Sequence, residues 1–493
     1  MICRETKAWQ IVQAKGDNDM QKKLSGLIYL LVILLVLAGC GAPAQNIAAA
    51  PEAEALLMLD EYAADLQQGY PSEKPQAGGY QVLNGGEMTA LAADLDINTP
   101  KAQTPGAAAV TPAQAATAAR YQQAAEIRGV WISYLEMDRL LKGKTAEEFR
   151  SNIAQVFSKM KEYGLNTAIV QVRPFGDALY QSAYFPWSYT ITGTEGTNPG
   201  FDPLQIMVQE ARKKDLRIEA WINPYRVRAA GNSVALAANN PARIWQEAGD
   251  SAVIRYNGAL TYNPASTKAQ NLIVNGVREL VRNYDIDGIH IDDYFYPATS
   301  GTLPAEYDQQ SYNAYKKAGG TMELAAWRRA NVELLLKKIY AAVKEENPHA
   351  LFGVSPQSSV YNNYYVQHLD VKKITSTAGY CDYVCPQIYF GFANGTQPFA
   401  KTLDEWNAMA EKSTVELYVG LAAYKVGLAD SWAGNGSAEW KERSDMLAAM
   451  VKYARGDSSV RGFILYRYDS IFQPATAVAS AVEAEKANLK KLL

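Results

Sequence analysis

A chain of 493 residues with 48% hydrophobic and 20% charged side chains has material for a large core, which excludes wholesale disorder. Its net charge of −3 supplies no basic field for a phosphate backbone, so nucleic-acid binding is not expected. Three His residues leave little for a His-rich metal site, while 31 Tyr and 9 Trp suit aromatic recognition surfaces.

The first forty residues read as an address. Lys22 and Lys23 precede an apolar run from Leu24 to Gly39, broken only by Ser25, Gly26 and Tyr29. A charged start, a short apolar stretch and small residues at its end describe a secretory signal over residues 1–39. The run is slightly short for a membrane span. It ends in Leu37-Ala38-Gly39-Cys40, which resembles the bacterial lipobox. That resemblance implies cleavage before Cys40, a lipid on its sulfur, and an envelope location outside the cytoplasm. The alternative is an uncleaved anchor helix. Residues 1–19 do not look like signal sequence, and Met20 is the expected start.

Residues 40–125 are rich in Ala, Pro, Gln, Gly and Thr. Such a composition buries too little apolar surface to offset ordering entropy, so a flexible, lipid-anchored spacer is expected. Glu52–Gln67 has helical spacing inside it. Beyond the spacer, Cys381 and Cys385 would lie about 13 Å apart on an extended strand, too far for a disulfide. They are read as small core-filling residues.

From Glu126 onward, strand-like runs alternate with helical ones. The strands read are Ile127–Ser133, Thr167–Arg173, Arg217–Asn223, Asp287–Asp292, Phe352–Gln357, Tyr383–Tyr389, Tyr418–Tyr424 and Gly462–Tyr468. The helices between them include Ala146–Tyr163, Pro203–Lys214, Ser266–Tyr284, Met322–Glu346, Leu403–Lys412 and Glu439–Ala454. Repeated strand-then-helix order predicts a parallel sheet, and eight repeats predict a (β/α)8 TIM barrel over residues 126–480, with a helical tail over 481–493. No Gly-x-Gly-x-x-Gly opens a helix and no Walker loop is present, so no nucleotide cofactor is expected.

Alternation sorts the strand residues into two faces. Apolar Ile218, Ala220 and Ile222 belong against the helices, which turns Glu219, Trp221 and Asn223 inward. The same parity turns His290 and Asp292 inward from the fourth strand, Gln171 and Arg173 from the second, Ser355 and Gln357 from the fifth, and Gln387 and Tyr389 from the sixth. Tyr424 and Tyr466 are further candidates. One such polar residue is ordinary; convergence from five strands, and seven with these two, is costly unless the groups serve a site.

The sharpest local feature is Asp287-Gly288-Ile289-His290-Ile291-Asp292-Asp293-Tyr294-Phe295-Tyr296-Pro297, which puts two carboxyls at the C-terminal end of the fourth strand. Glycosidic cleavage needs one carboxylate to attack or stabilise an oxocarbenium-like centre and an acid to protonate the leaving oxygen. Asp292 is the candidate nucleophile or charge stabiliser. Asp293 is an acid, a ligand for substrate or a loop cap. Arg173, Trp221, Asn223, Tyr225, His290, Tyr294, Gln387 and Tyr389 are the candidate substrate-binding residues. Glu219 lies deeper and is expected to pair with an Arg or His, with a lesser claim as the acid.

Several runs resemble a known family in order and spacing. They are Glu126-Ile127-Arg128-Gly129-Val130-Trp131, Gln171-Val172-Arg173-Pro174, Ala220-Trp221-Ile222-Asn223-Pro224-Tyr225, Gly288 to Pro297, and Pro386-Gln387-Ile388-Tyr389. From about Glu126 to Pro474 the chain is similar to glycosyl hydrolase-like family ten. The resemblance implies a TIM-barrel glycoside hydrolase of the bacterial envelope, often a lipoprotein. It also implies a glycan substrate, in some members peptidoglycan strands stripped of peptides. The acid pair would fall on Asp292 and Asp293, with Gln387 and Tyr389 lining the pocket. No Glu closes strands four to six, which leaves a retaining or an inverting mechanism open.

Two rivals stand beside a hydrolase that acts as a monomer. One is a non-catalytic glycan-binding barrel, indifferent to Asp292→Asn. The other is a metal-dependent deacetylase, which three His residues scarcely supply.

Overall fold

The structure, a computed structural model, describes residues Thr117, Arg120, 126–297 and 303–493. The signal, Cys40 and most of the spacer lie outside the described residues. Eight parallel strands close a barrel: β1 (Ile127–Ile132), β2 (Thr167–Arg173), β3 (Arg217–Ile222), β4 (Gly288–Ile291), β5 (Leu351–Val354), β6 (Tyr383–Val384), β7 (Glu416–Ala422) and β8 (Val460–Tyr466). Closure comes from β8 pairing with β1, Gly462 opposite Ile127. Strands and helices alternate as expected, giving a (β/α)8 TIM barrel.

The helix Ala146–Tyr163 shows how sequence sets the outer layer. Thr145 and Glu148 form a reciprocal capping box at its start, and Gly164 ends it with φ 99°. Phe149, Ile153, Val156, Phe157 and Met160 recur at helical spacing and are its buried stripe. Each cap of this kind contributes about 1 kcal/mol.

Several expected strands end a residue or two early, and the fifth and sixth end three and five residues early. Pro356 and Pro386 carry no N–H, so regular pairing stops at Val354 and Val384. Single bridges, Gln357 to Gln387 and Gln387 to Gly420, keep the sixth strand's path beyond the break. The stretch read as one helix from Glu439 to Ala454 is two, Glu439–Glu442 and Met446–Ala454, because Arg443 is extended. The second helix starts on a tertiary cap: Glu485 accepts the Ala448 N–H at 3.0 Å. Glu485 belongs to the helix Ala479–Lys490, whose Val482 and Leu489 are buried, so the tail is the eighth outer helix.

The spacer reading also needs a correction at its end. Arg120 pairs with Asp287 at 2.5 Å and Asp285 at 2.8 Å, beneath β4. The anchored part of the chain therefore starts before Glu126.

The inward parity holds inside the barrel. Ile127, Trp131, Ile169, Trp221, Leu351, Tyr383, Cys385, Tyr418 and Ile464 form one inner cluster, separate from the layer between strands and helices. Large rings need small neighbours: a Cβ at Gly353 would fall 1.9 Å from the Tyr383 ring. Cys381 and Cys385 are buried free thiols, as expected of core filler.

A three-stranded antiparallel sheet, Arg226–Arg228, Ala259–Tyr262 and Val253–Tyr256, sits in the loop after β3. Its hairpin turns on Asn257 (φ 46°) and Gly258 (φ 81°). That Asn-Gly between two short β-rich runs was a readable signal that the barrel count passed over.

Candidate active site

The fourth strand delivers Asp292 and Asp293 to the C-terminal mouth, and both are buried. Asp292 is gripped by neutral donors. Trp221 Nε1 donates to Oδ2 at 3.1 Å, and Asn223 Nδ2 donates to Oδ1 and Oδ2 at 3.0 and 2.9 Å. The Asn223 amide cannot be reversed without loss. Its Oδ1 accepts from Gln171 Nε2 at 2.6 Å, and Gln171 Oε1 accepts from the Tyr134 N–H at 3.0 Å. A line of amides from the turn after β1 through β2 to the end of β3 thus fixes which atom of Asn223 meets the carboxylate.

Asp293 is held from the other side. Gln387 Nε2 donates to its Oδ1 at 3.0 Å and to the Ser355 carbonyl at 3.0 Å. Burial, and then the charge of Asp293, push the Asp292 carboxyl up to about 7. Burial raises Asp293 as well, and Gln387 works against the shift. Two adjacent buried carboxyls of this kind retain one proton between them toward neutral pH. That is the charge state glycosidic cleavage needs, one anion and one acid.

Arg226 is the mouth's cation. It lies over the Tyr294 ring at 4.3 Å and the Phe175 ring at 4.7 Å, and its charge opposes the rise of both carboxyls. Sequence reasoning missed it as a site residue because it lies past the strand, where alternation gives no direction. The small sheet after β3 carries it back over the mouth.

A narrow cleft opens beside Gln387, with Gln357, Ser358, Asn362, Tyr389 and Lys425 among its walls. Tyr389 stacks on Tyr466 at 5.7 Å and meets Tyr424 edge-on at 5.8 Å. Tyr294 is 41% exposed at the rim. Trp221, Asn223, Tyr294, Gln387 and Tyr389 therefore gather where expected.

Three expected binding residues do not. Arg173 is fully buried, with its guanidinium on the carbonyls of Phe175 and Pro224 and over the Phe185 ring at 4.6 Å. The β2–β3 register slips between Gln171 and Arg173, so simple alternation ends one step before it. Tyr225 is buried in the apolar core under the loops. His290 has both nitrogens occupied: Trp131 Nε1 donates to Nε2 at 3.1 Å, and Nδ1 lies 2.8 Å from the Tyr383 hydroxyl. Burial pushes the His290 pKa down to about 3, so it stays neutral and has no valence for a sugar. Tyr383 in turn donates to Glu219 at 2.6 Å, and Arg217 pairs with Glu219 at 3.3 Å, which meets the expected Arg pairing. Among the described residues, no group of three or more His, Cys, Asp or Glu is arranged to hold a metal ion.

Residues 126–439 match the family described as glycosyl hydrolase-like 10. The chain belongs to this family. As a glycosyl hydrolase-like protein it has relatives in distant bacteria. It is 34% identical over 328 residues to the Bacillus subtilis (strain 168) protein named glycosyl hydrolase YngK, a match covering 62% of each chain and so less than two thirds of that relative. It is 30% identical over 416 residues to glycosyl hydrolase DigH of Escherichia coli (strain K12), covering 77% of this chain and 91% of that one. Among solved structures, the PgaB (BpsB) glycoside hydrolase domain from Bordetella bronchiseptica aligns with 74% of this chain and 99% of its own length, at 13% identity and a TM-score of 0.49.

Proposed function

We propose that this family member is an exported, lipid-anchored hydrolase that cleaves O-glycosidic bonds of an envelope glycan, with peptide-free peptidoglycan strands as the leading substrate. The reading is carried by one observation, the adjacent buried carboxyls of Asp292 and Asp293 at the barrel mouth, both raised and both held by neutral amides or indole. Asp292 acts as the anion facing the developing positive charge at the sugar carbon, oriented by Trp221 and Asn223. Asp293 supplies the proton to the leaving oxygen, and water adds to the sugar carbon, its proton restoring the acid. Arg226 limits the rise of both carboxyls, so one of them ionises while the pair keeps its other proton. The family and the names of the relatives support the reaction class. The lipid, the envelope location and the peptidoglycan preference rest on Leu37-Ala38-Gly39-Cys40 and on the family resemblance.

The test is to incubate the full chain with intact and with peptide-free murein strands and to weigh the products by mass spectrometry. Cleaved strands with new reducing ends are expected, the peptide-free substrate being preferred. No new reducing ends from either substrate would refute the substrate. The lipid is checked apart from activity: Cys40→Ser should move the protein from the membrane fraction to the soluble one.

A further inference from the structure

The loop after β5 carries a short helix, Val360–Tyr365, that turns two aromatic rings to solvent. Tyr361 is 40% exposed and Tyr365 45%. Spaced one helical turn apart, their ring centroids lie 4.6 Å from each other, tilted by 39°. Such exposure on one small helix is costly to solvation and adds nothing to the core. The pair is nonetheless held in place. Tyr364 meets Tyr365 edge-on at 4.9 Å, and Arg329 lies over Tyr364 at 3.9 Å while bonding its carbonyl at 3.3 Å.

The same helix forms a wall of the catalytic cleft. Ser359, its N-cap, and Asn362 line the cleft together with Gln357 and Gln387, and Gln387 is the residue that holds Asp293. The aromatic pair therefore rides on the helix whose Ser359 and Asn362 wall the cleft beside Gln387, the residue that bonds Asp293. Amide and hydroxyl walls match a hydroxyl-rich, uncharged ligand, and flat aromatic faces match the C–H faces of a pyranose ring. A second copy of the chain or a lipid surface would favour a broad aliphatic patch, whereas here two tyrosines stand beside polar groups.

We propose that Tyr361 and Tyr365 form a distal sugar-binding platform that holds a glycan chain several units from the bond being cleaved, making the enzyme selective for long strands. The inference rests on the hydrolase reading above. A long strand reaches both the acid pair and the platform, so the platform's stacking energy lowers the barrier only for polymers. A short oligosaccharide fills the cleft and stops before it.

The experiment compares wild type, Tyr361→Ala/Tyr365→Ala and Tyr361→Phe/Tyr365→Phe on peptide-stripped murein strands fractionated by length. The Ala pair should lose about five- to tenfold in kcat/KM on long strands, mostly through KM, and nothing on the shortest cleavable oligosaccharides. The Phe pair, which keeps both ring faces, should stay near wild type on both. Equal kcat/KM for wild type and the Ala pair on long strands would overturn the platform while leaving the hydrolase standing. So would an equal loss on short and long substrates, the mark of a disturbed cleft, or a loss of self-association in the Ala pair by light scattering, the mark of a contact between copies. Wild type inert on every length would sink the hydrolase reading instead. Retention of the Asp292→Asn protein on immobilised long strands, weakened by the added Ala pair, supports the platform without turnover.

Discussion

Two polar regions occupy one barrel, and a single strand feeds both. His290 of β4 points into the interior and Asp292, two residues on, into the mouth. In the interior, Trp131, His290, Tyr383, Glu219 and Arg217 form a closed chain of hydrogen bonds and an ion pair. At the mouth, Asp292 and Asp293 are nearly as buried, and Gln387, which bonds Asp293, lines a cleft. Both regions contain carboxyls pushed up to about 7, Glu219 by burial and Asp292 by burial and its neighbour. A raised carboxyl is therefore no mark of catalysis by itself. What separates the two is their setting: the interior places its carboxyl against an Arg and a Tyr deep in the barrel, while the mouth couples two like charges at the end of a strand.

Breaking the mouth should have the largest effect. Asp292→Asn is expected to lower glycan hydrolysis by about 10³-fold or more, read as reducing ends released, with glycan binding kept. The variant should remain folded at neutral pH, the lost ionisation being one that burial opposes while the new amide NH2 faces a donor, so a melting shift of only a few degrees is expected. Unchanged turnover would remove Asp292 from the reaction.

The next test separates the regions by pH. A raised carboxyl keeps its proton higher, so the pair holds its acid form above the ordinary carboxylate range and loses it as pH climbs further. Initial rates should fall about tenfold per pH unit on the alkaline side. The same shift costs stability as pH climbs from the ordinary carboxylate value of about 4 toward the raised one, so the melting temperature falls along that interval. A rate that stays flat well past neutrality would mean no shared proton takes part.

Tyr383→Phe attacks the interior alone. It strips the hydroxyl that joins His290 to Glu219, and should cost about 1–3 kcal/mol in denaturant unfolding. Activity per folded molecule should persist, and its collapse would place the interior network in the reaction. Arg226→Lys tests the rim more gently. Lys keeps the charge but not the planar group between Phe175 and Tyr294, and a rise in KM of about three- to tenfold is expected. Smallest of all is the effect of a chelator: prolonged dialysis against one should leave hydrolysis unaltered, and a chelator-sensitive activity would reinstate metal chemistry at this mouth.

Several residues were legible because a strand has only two sides. Ile218, Ala220 and Ile222 had to meet the helices, which sent Trp221 and Asn223 to the mouth, and the parity of Ile289 and Ile291 did the same for Asp292. Alternation states a direction and not a partner, which is why His290 was placed inside correctly and given the wrong task. It also fails where register slips, as at Arg173, and beyond the last paired residue, as at Arg226. The chain by itself determined the eight-unit barrel and the end of it where the paired carboxyls sit, since hydrophobic periodicity is a local property and barrel closure follows from repetition. Only the tertiary structure decided which polar groups satisfy each other and which stay available, because a hydrogen bond joins residues as far apart as Asn223 and Asp292, and no local pattern records the distance between them.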